Sequence, residues 1–103
     1  MQIIWSNKAL TELQKILRYG EKEFGQSATE HFYRQIKENE LRLSSFPEMG
    51  KREQALDTAS RQYRSLLLHK NYKLIYYIID DTIRISGFWS THRNPDDIFN
   101  SIE

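Results

Sequence analysis

The sequence predicts an α+β domain, in the order β-α-α-β-β-β-α, with a helix hairpin packed on one face of an antiparallel sheet. Three observations predict it. Residues 62–93 read QYRSLLLHKNYKLIYYIIDDTIRISGFWSTHR, three β-branched and aromatic runs separated by two polar pairs, Lys70-Asn71 and Asp80-Asp81. That pattern is a three-strand antiparallel meander. Upstream, two stretches with helical apolar spacing meet at Gly25, and downstream N-P-D-D at 94–97 opens a further short helix.

The elements follow in order. Ile3 and Ile4 make residues 2–5 a strand, since β-branched side chains fit a pleated surface. Ser6 is placed to cap a helix whose apolar residues Ala9, Leu10, Leu13, Ile16, Leu17 and Phe24 fall on one face. Gly25 ends it. Ser27 and Glu30 form an S-x-x-E capping box for a second helix with Phe32, Ile36 and Leu43, stopped by Pro47. Two helices with so short a connection form an antiparallel hairpin. Residues 49–61 lack periodicity and are expected as a loop with at most a short turn of helix. At the far end Asn94 caps, Pro95 takes the first helical position, and Ile98, Phe99 and Ile102 supply an apolar side.

If both meander turns have two residues, His69 faces Tyr72, Ile79 faces Thr82, and alternation sorts every side chain. Tyr63, Leu67, Leu74, Tyr76, Ile78, Ile83, Ile85 and Trp89 then share a face that the helix hairpin covers, giving two layers and one core. Arg64, Leu66, Lys73, Ile75, Tyr77, Arg84, Phe88 and His92 share the other. There cations and aromatics interleave and no acid of the meander offsets them, so this is where function is expected.

Composition narrows the class. A chain of 103 residues holds one domain, 1–103, with one modest core. It has no cysteine, which fits a reducing compartment. No apolar run reaches the roughly 18 residues of a membrane span, and the N-terminus does not read as a signal segment, so the cytoplasm is expected. The net charge of +1 conceals a gradient: residues 1–50 carry 7 Lys and Arg against 7 Asp and Glu, residues 51–73 carry 6 against 2, and residues 74–103 carry 2 against 5. Cations gathered where the meander begins favour an anionic partner, nucleic acid or an acidic protein segment.

The opening I-I-W-S-N-K-A-L-T-E-L, the run Y-R-S-L-L-L-H-K-N-Y-K-L-I-Y-Y-I-I-D-D and the ending I-S-G-F-W-S-T-H-R-N-P together resemble the RelE/ParE superfamily of bacterial type II toxins. The resemblance spans essentially the whole chain. It implies a small toxin neutralised by a cognate antitoxin whose C-terminal segment wraps it, and no cofactor. It also implies one of two activities, because RelE-like members cut mRNA in the ribosomal A site and ParE-like members poison DNA gyrase.

Cutting RNA with its own 2′-hydroxyl as nucleophile requires a base, cations for the charged phosphorane and an acid for the leaving oxygen. It requires no metal, and the sequence holds no metal-ligand cluster. By resemblance, Arg64, Lys73 and Arg93 match the basic positions of the ribonucleases, with His92 beside Arg93 able to act as base or acid. Lys73 stands where the ribonuclease often has Arg, and Phe99 where RelE has a proton-exchanging Tyr. Tyr77, Arg84 and Phe88 are the expected contacts to antitoxin or substrate, Phe88 as an exposed stacking surface. Each has an ordinary structural reading too: arginine stacked on Tyr77 across strands, Lys73 as a solubilising charge, His92 and Arg93 as caps of a strand end. Trp5, Tyr76 and Trp89 are expected in the core.

Three functions are therefore in competition. The expected one is a ribosome-dependent endoribonuclease acting on mRNA. The alternatives are a gyrase inhibitor without chemistry of its own, which the H-R-N-P ending favours, and an inactive relative that only binds antitoxin.

Overall fold

The computed structural model describes residues 1–69 and 72–90. Its elements are β1 (Gln2–Trp5), α1 (Asn7–Phe24), α2 (Gln26–Ser45), β2 (Lys51–Arg52), a 3-10 turn (Gln54–Leu56), β3 (Tyr63–His69), β4 (Tyr72–Ile79) and β5 (Thr82–Ser90). The segment expected as a loop thus contains a two-residue strand and one turn of helix. The turn expected at Lys70-Asn71 and the helix expected after Asn94 fall on residues outside those described.

The five strands form one open sheet in the order β1-β5-β4-β3-β2. β1 lies parallel to β5, Gln2 opposite Thr82 and Trp5 opposite Ile85, while the other neighbours are antiparallel. The sheet is therefore mixed, where an antiparallel one was expected. The parallel pairing follows from the hairpin, which carries the chain across one face and lets β1 join the far edge beyond the meander.

The helices begin and end for local reasons. Ser6 is extended, and its hydroxyl accepts the amide of Ala9 at 3.0 Å. Its own amide donates to the Ile85 carbonyl at 2.9 Å, so the cap of α1 continues the β1–β5 ladder. Gly25, at φ 89°, closes α1 and opens α2 in one residue. That conformation is costly for any side chain with a Cβ. The expected capping box does not form: α2 starts at Gln26, Ser27 is already inside the helix, and Glu30 accepts a hydrogen bond from the Gln26 side chain at 3.1 Å.

The hairpin buries Ala9, Leu13, Ile36 and Leu43 against Leu66, Leu74, Tyr76, Ile83, Ile85 and Phe88 of the sheet. On the opposite face Leu56 packs with Tyr63, Ile75, Tyr77 and Trp89 in a second cluster. Along β4 the expected alternation holds, Leu74, Tyr76 and Ile78 facing the helices, Ile75 and Tyr77 facing away. Ile83 and Ile85 are likewise on the helix side, as expected.

Six other assignments are reversed, and two register shifts account for them. His69 pairs with Tyr72 as expected, but Leu67 then pairs with Lys73, leaving Leu68 as an extra residue. In β5, Tyr76 pairs with Ile85 and Ile75 with Gly87, leaving Ser86 extra. Each inserted residue inverts the alternation beyond it. Arg64, Leu66 and Phe88 therefore turn to the helix side, and Tyr63, Leu67 and Trp89 to the other. Phe88, expected as an exposed platform, is 1% exposed, while Leu67, expected in the core, is 61% exposed.

Candidate functional site

The sheet face away from the helices carries three of the residues expected to act, Lys73, Tyr77 and Arg84. Lys73, Ile75 and Tyr77 of β4 point to it, and Arg84 of β5 sits opposite Tyr77 and beside Ile4 of β1, exposed to solvent. The chain between β2 and β3 folds back over this face, and Leu56 is its apolar anchor. Arg52 and Asp57 form an ion pair at the base of the loop. The second oxygen of Asp57 accepts the amide of Tyr63 at 2.8 Å, which ties the loop to the start of β3.

This loop supplies the acid that the meander lacks. Glu53 Oε1 accepts the Ser65 hydroxyl at 2.7 Å and lies 3.8 Å from Lys73 Nζ. Lys73 is thus partly neutralised in place. Tyr77 is buried rather than presented: the Arg61 guanidinium lies 4.5 Å from its ring centroid, and the Tyr63 ring meets it edge-on at 5.5 Å. The arginine stacked on this ring comes from the loop, where Arg64 or Arg84 from the neighbouring strands was expected. Exposed Arg84 and Leu67 flank the covered patch.

Arg64 stands on the helix side of β3, in register with Tyr76. Its Nη1 donates to the carbonyls of Glu48 at 3.1 Å and Gly50 at 2.8 Å. Tyr76, fully buried, donates its hydroxyl to the Pro47 carbonyl at 2.8 Å and accepts the Gly50 amide at 2.9 Å. Gly50 is required by this approach, because a Cβ there would lie 2.5 Å from the Tyr76 hydroxyl and 2.8 Å from the Ser65 carbonyl oxygen. Burial pushes the Tyr76 pKa up, with the Gly50 amide and the Arg64 charge pulling it down less strongly. Arg64 and Tyr76 together fix the connection from α2 to β2.

Of the four residues expected to clamp a phosphate, Arg64 and Lys73 are on opposite faces of the sheet, each with carbonyl or carboxylate partners. His92 and Arg93 lie outside the described residues, as does Phe99. Phe88 is packed among Tyr72, stacked at 5.8 Å, Phe32 at 6.3 Å and Trp5 at 6.2 Å. Sequence reasoning missed Glu53 and the Tyr76 hydroxyl. Glu53 was legible only as one of two acids in a basic stretch, and nothing local marks Tyr76 as the tyrosine that bonds a distant turn. Among the described residues no cluster of three or more His, Cys, Asp or Glu is arranged to hold a metal ion.

Two helices on one face of an open, mixed five-stranded sheet are consistent with the RelE/ParE-like type II toxins. The family described as the ParE toxin of the type II toxin–antitoxin system, parDE, matches residues 3–95, and the chain belongs to that family. No individual curated protein matches it. The chain is thus a type II toxin, and its class implies an antitoxin partner. Among the described residues no helix is long and apolar enough to cross a membrane.

Proposed function

We propose that this toxin acts by binding DNA gyrase and trapping it on DNA, not by cutting mRNA. The observation that carries this reading is the separation of Arg64 from Lys73. A phosphorane-stabilising pair has to converge on one point from a common side. Arg64 spends its guanidinium on two backbone carbonyls of the α2–β2 connection, and Lys73 faces the other way toward Glu53. Both are placed as structural cations. The membership of the chain in the ParE family supports the same choice, and it reverses the preference that the cation count of the sequence suggested.

The test sets the two activities side by side. Purified toxin is added to gyrase with supercoiled plasmid, and separately to ribosomes loaded with a defined mRNA read by primer extension. Gyrase-linked DNA breaks with intact mRNA are expected. Cuts at A-site codons that vanish in Lys73→Ala would overturn the reading and restore Lys73 as a catalytic residue.

A further inference from the structure

Residues 53–62 fold into a closed loop of their own. Its ends meet, the Glu53 amide donating to the Tyr63 carbonyl at 2.9 Å. Its tip is closed by the Thr58 amide on the Arg61 carbonyl at 3.0 Å and by the Arg61 amide on the Thr58 hydroxyl at 3.1 Å. The β3–β4 and β4–β5 ladders take no residue from it. A loop with adjoining ends and bonds of its own can therefore leave the sheet without unravelling it.

The loop meets the sheet face with a definite chemistry. Residues 51–73 hold two acids, Glu53 and Asp57, and both lie in this loop. Each is spent on a cation: Glu53 Oε1 lies 3.8 Å from Lys73 Nζ, and Asp57 pairs with Arg52. Between them Leu56, 6% exposed, fills the cluster of Tyr63, Ile75, Tyr77 and Trp89, while Gln54, Ala55 and residues 58–60 are exposed. The face thus holds a chain segment that reads Glu-x-x-Leu-Asp, and in this structure the segment is the protein's own.

We infer that residues 53–62 are an internal plug, which opens as one unit and yields its place to a segment of a partner protein with the same Glu-x-x-Leu-Asp chemistry. Lys73 and Arg52 then meet the partner's acids, and the apolar cluster takes its leucine. Nucleic acid fits less well, because phosphates would meet the two cations and leave the cluster uncovered. The inference does not rest on gyrase being the target.

The probe is a blocked peptide copying residues 52–62, titrated against wild type and against Glu53→Gln/Leu56→Ala, in which the plug is loosened. Binding is read from the amide resonances of Ile75 and Tyr77. Saturable binding to the loosened protein is expected. It should be weaker by about tenfold or more in wild type, where the tethered plug competes at high effective concentration, and lost when Lys73→Glu is added to the loosened protein. Equal binding to wild type and the loosened variant, no saturable binding to the latter, or the same response to a scrambled peptide or an oligonucleotide would overturn the inference. Should the loosened variant fail to fold, tyrosine nitration of wild type decides. Tyr63 and Tyr77 lie under the plug, and Tyr76 is buried on the other face. Nitration of Tyr63 and Tyr77 at a common slow rate, with Tyr76 spared, is expected. No nitration of the pair, or nitration of all three at one rate, would overturn the inference, because the face would then open only with the whole fold.

Discussion

Tyr76 contributes through its hydroxyl as much as through its ring. Tyr76→Phe removes the donor to Pro47 and the acceptor for the Gly50 amide, leaving that amide buried without a partner. A loss of about 1–3 kcal/mol is expected, read from the denaturant midpoint. The pH dependence has a definite sign. Burial raises the folded pKa of Tyr76 above its ordinary value, so the fold holds that proton more tightly than the unfolded chain does. Its contribution is fully present below about pH 10 and is lost as pH rises through the folded value. Wild type is therefore expected to lose stability relative to Tyr76→Phe above about pH 10, measured as the difference between their unfolding curves. Phe88 tests the reversed alternation directly. As a core ring among Phe32, Tyr72 and Trp5, its replacement by alanine should cost about 3–5 kcal/mol. A cost below about 1 kcal/mol would match an exposed platform instead.

The β4–β5 hairpin and the bulge in β5 each depend on a single residue. Asp80 and Asp81 both take positive φ, 48° and 60°, as a type I′ turn demands, and the preferred second residue there is glycine. Asp81→Gly is expected to raise stability by about 0.5–1 kcal/mol, checked by the denaturant midpoint. Ser86 is the extra residue of β5, fully buried, with a hydroxyl that has no hydrogen-bond partner. Ser86→Ala should leave stability unchanged or higher, because the orphaned hydroxyl costs more buried than removed. Deleting Ser86 should prevent folding, because Phe88 and Trp89 would exchange faces. A deletion variant with native circular dichroism and a wild-type melting point would refute the role given to the bulge. The helices were more legible than the strands. Ser6 and Gly25 act over a few residues and were read correctly, whereas the Ser27 box lost to the glycine two positions earlier, which already sets the turn into α2.

Across the whole molecule, the sheet is covered on both faces. The hairpin covers one, and residues 53–62 cover part of the other through Leu56, Arg61 and Glu53. Leu56→Ala should free that cover without melting the hairpin, with faster amide exchange at Asp57 and Thr58 while α1 and α2 stay protected. Uniform loss of protection would show instead that both clusters unfold as one unit. The candidate site was legible in part. Lys73, Tyr77 and Arg84 stand on the face assigned to them, but Arg64 and Phe88 do not, and the acid against Lys73 arrives from a loop with no periodic signal. The order of the first strand, the two helices and the three meander strands, the caps at Ser6 and Gly25, the turn at Asp80-Asp81 and the toxin class follow from local chemistry and from residue patterns along the chain. The parallel seat of β1, the faces of β3 and the end of β5, and the Tyr76–Arg64 hold on the 46–50 turn were decided only by packing. Alternation has a period of two, so one inserted residue reverses every face beyond it, and the cost of that insertion is set by neighbours distant in the chain.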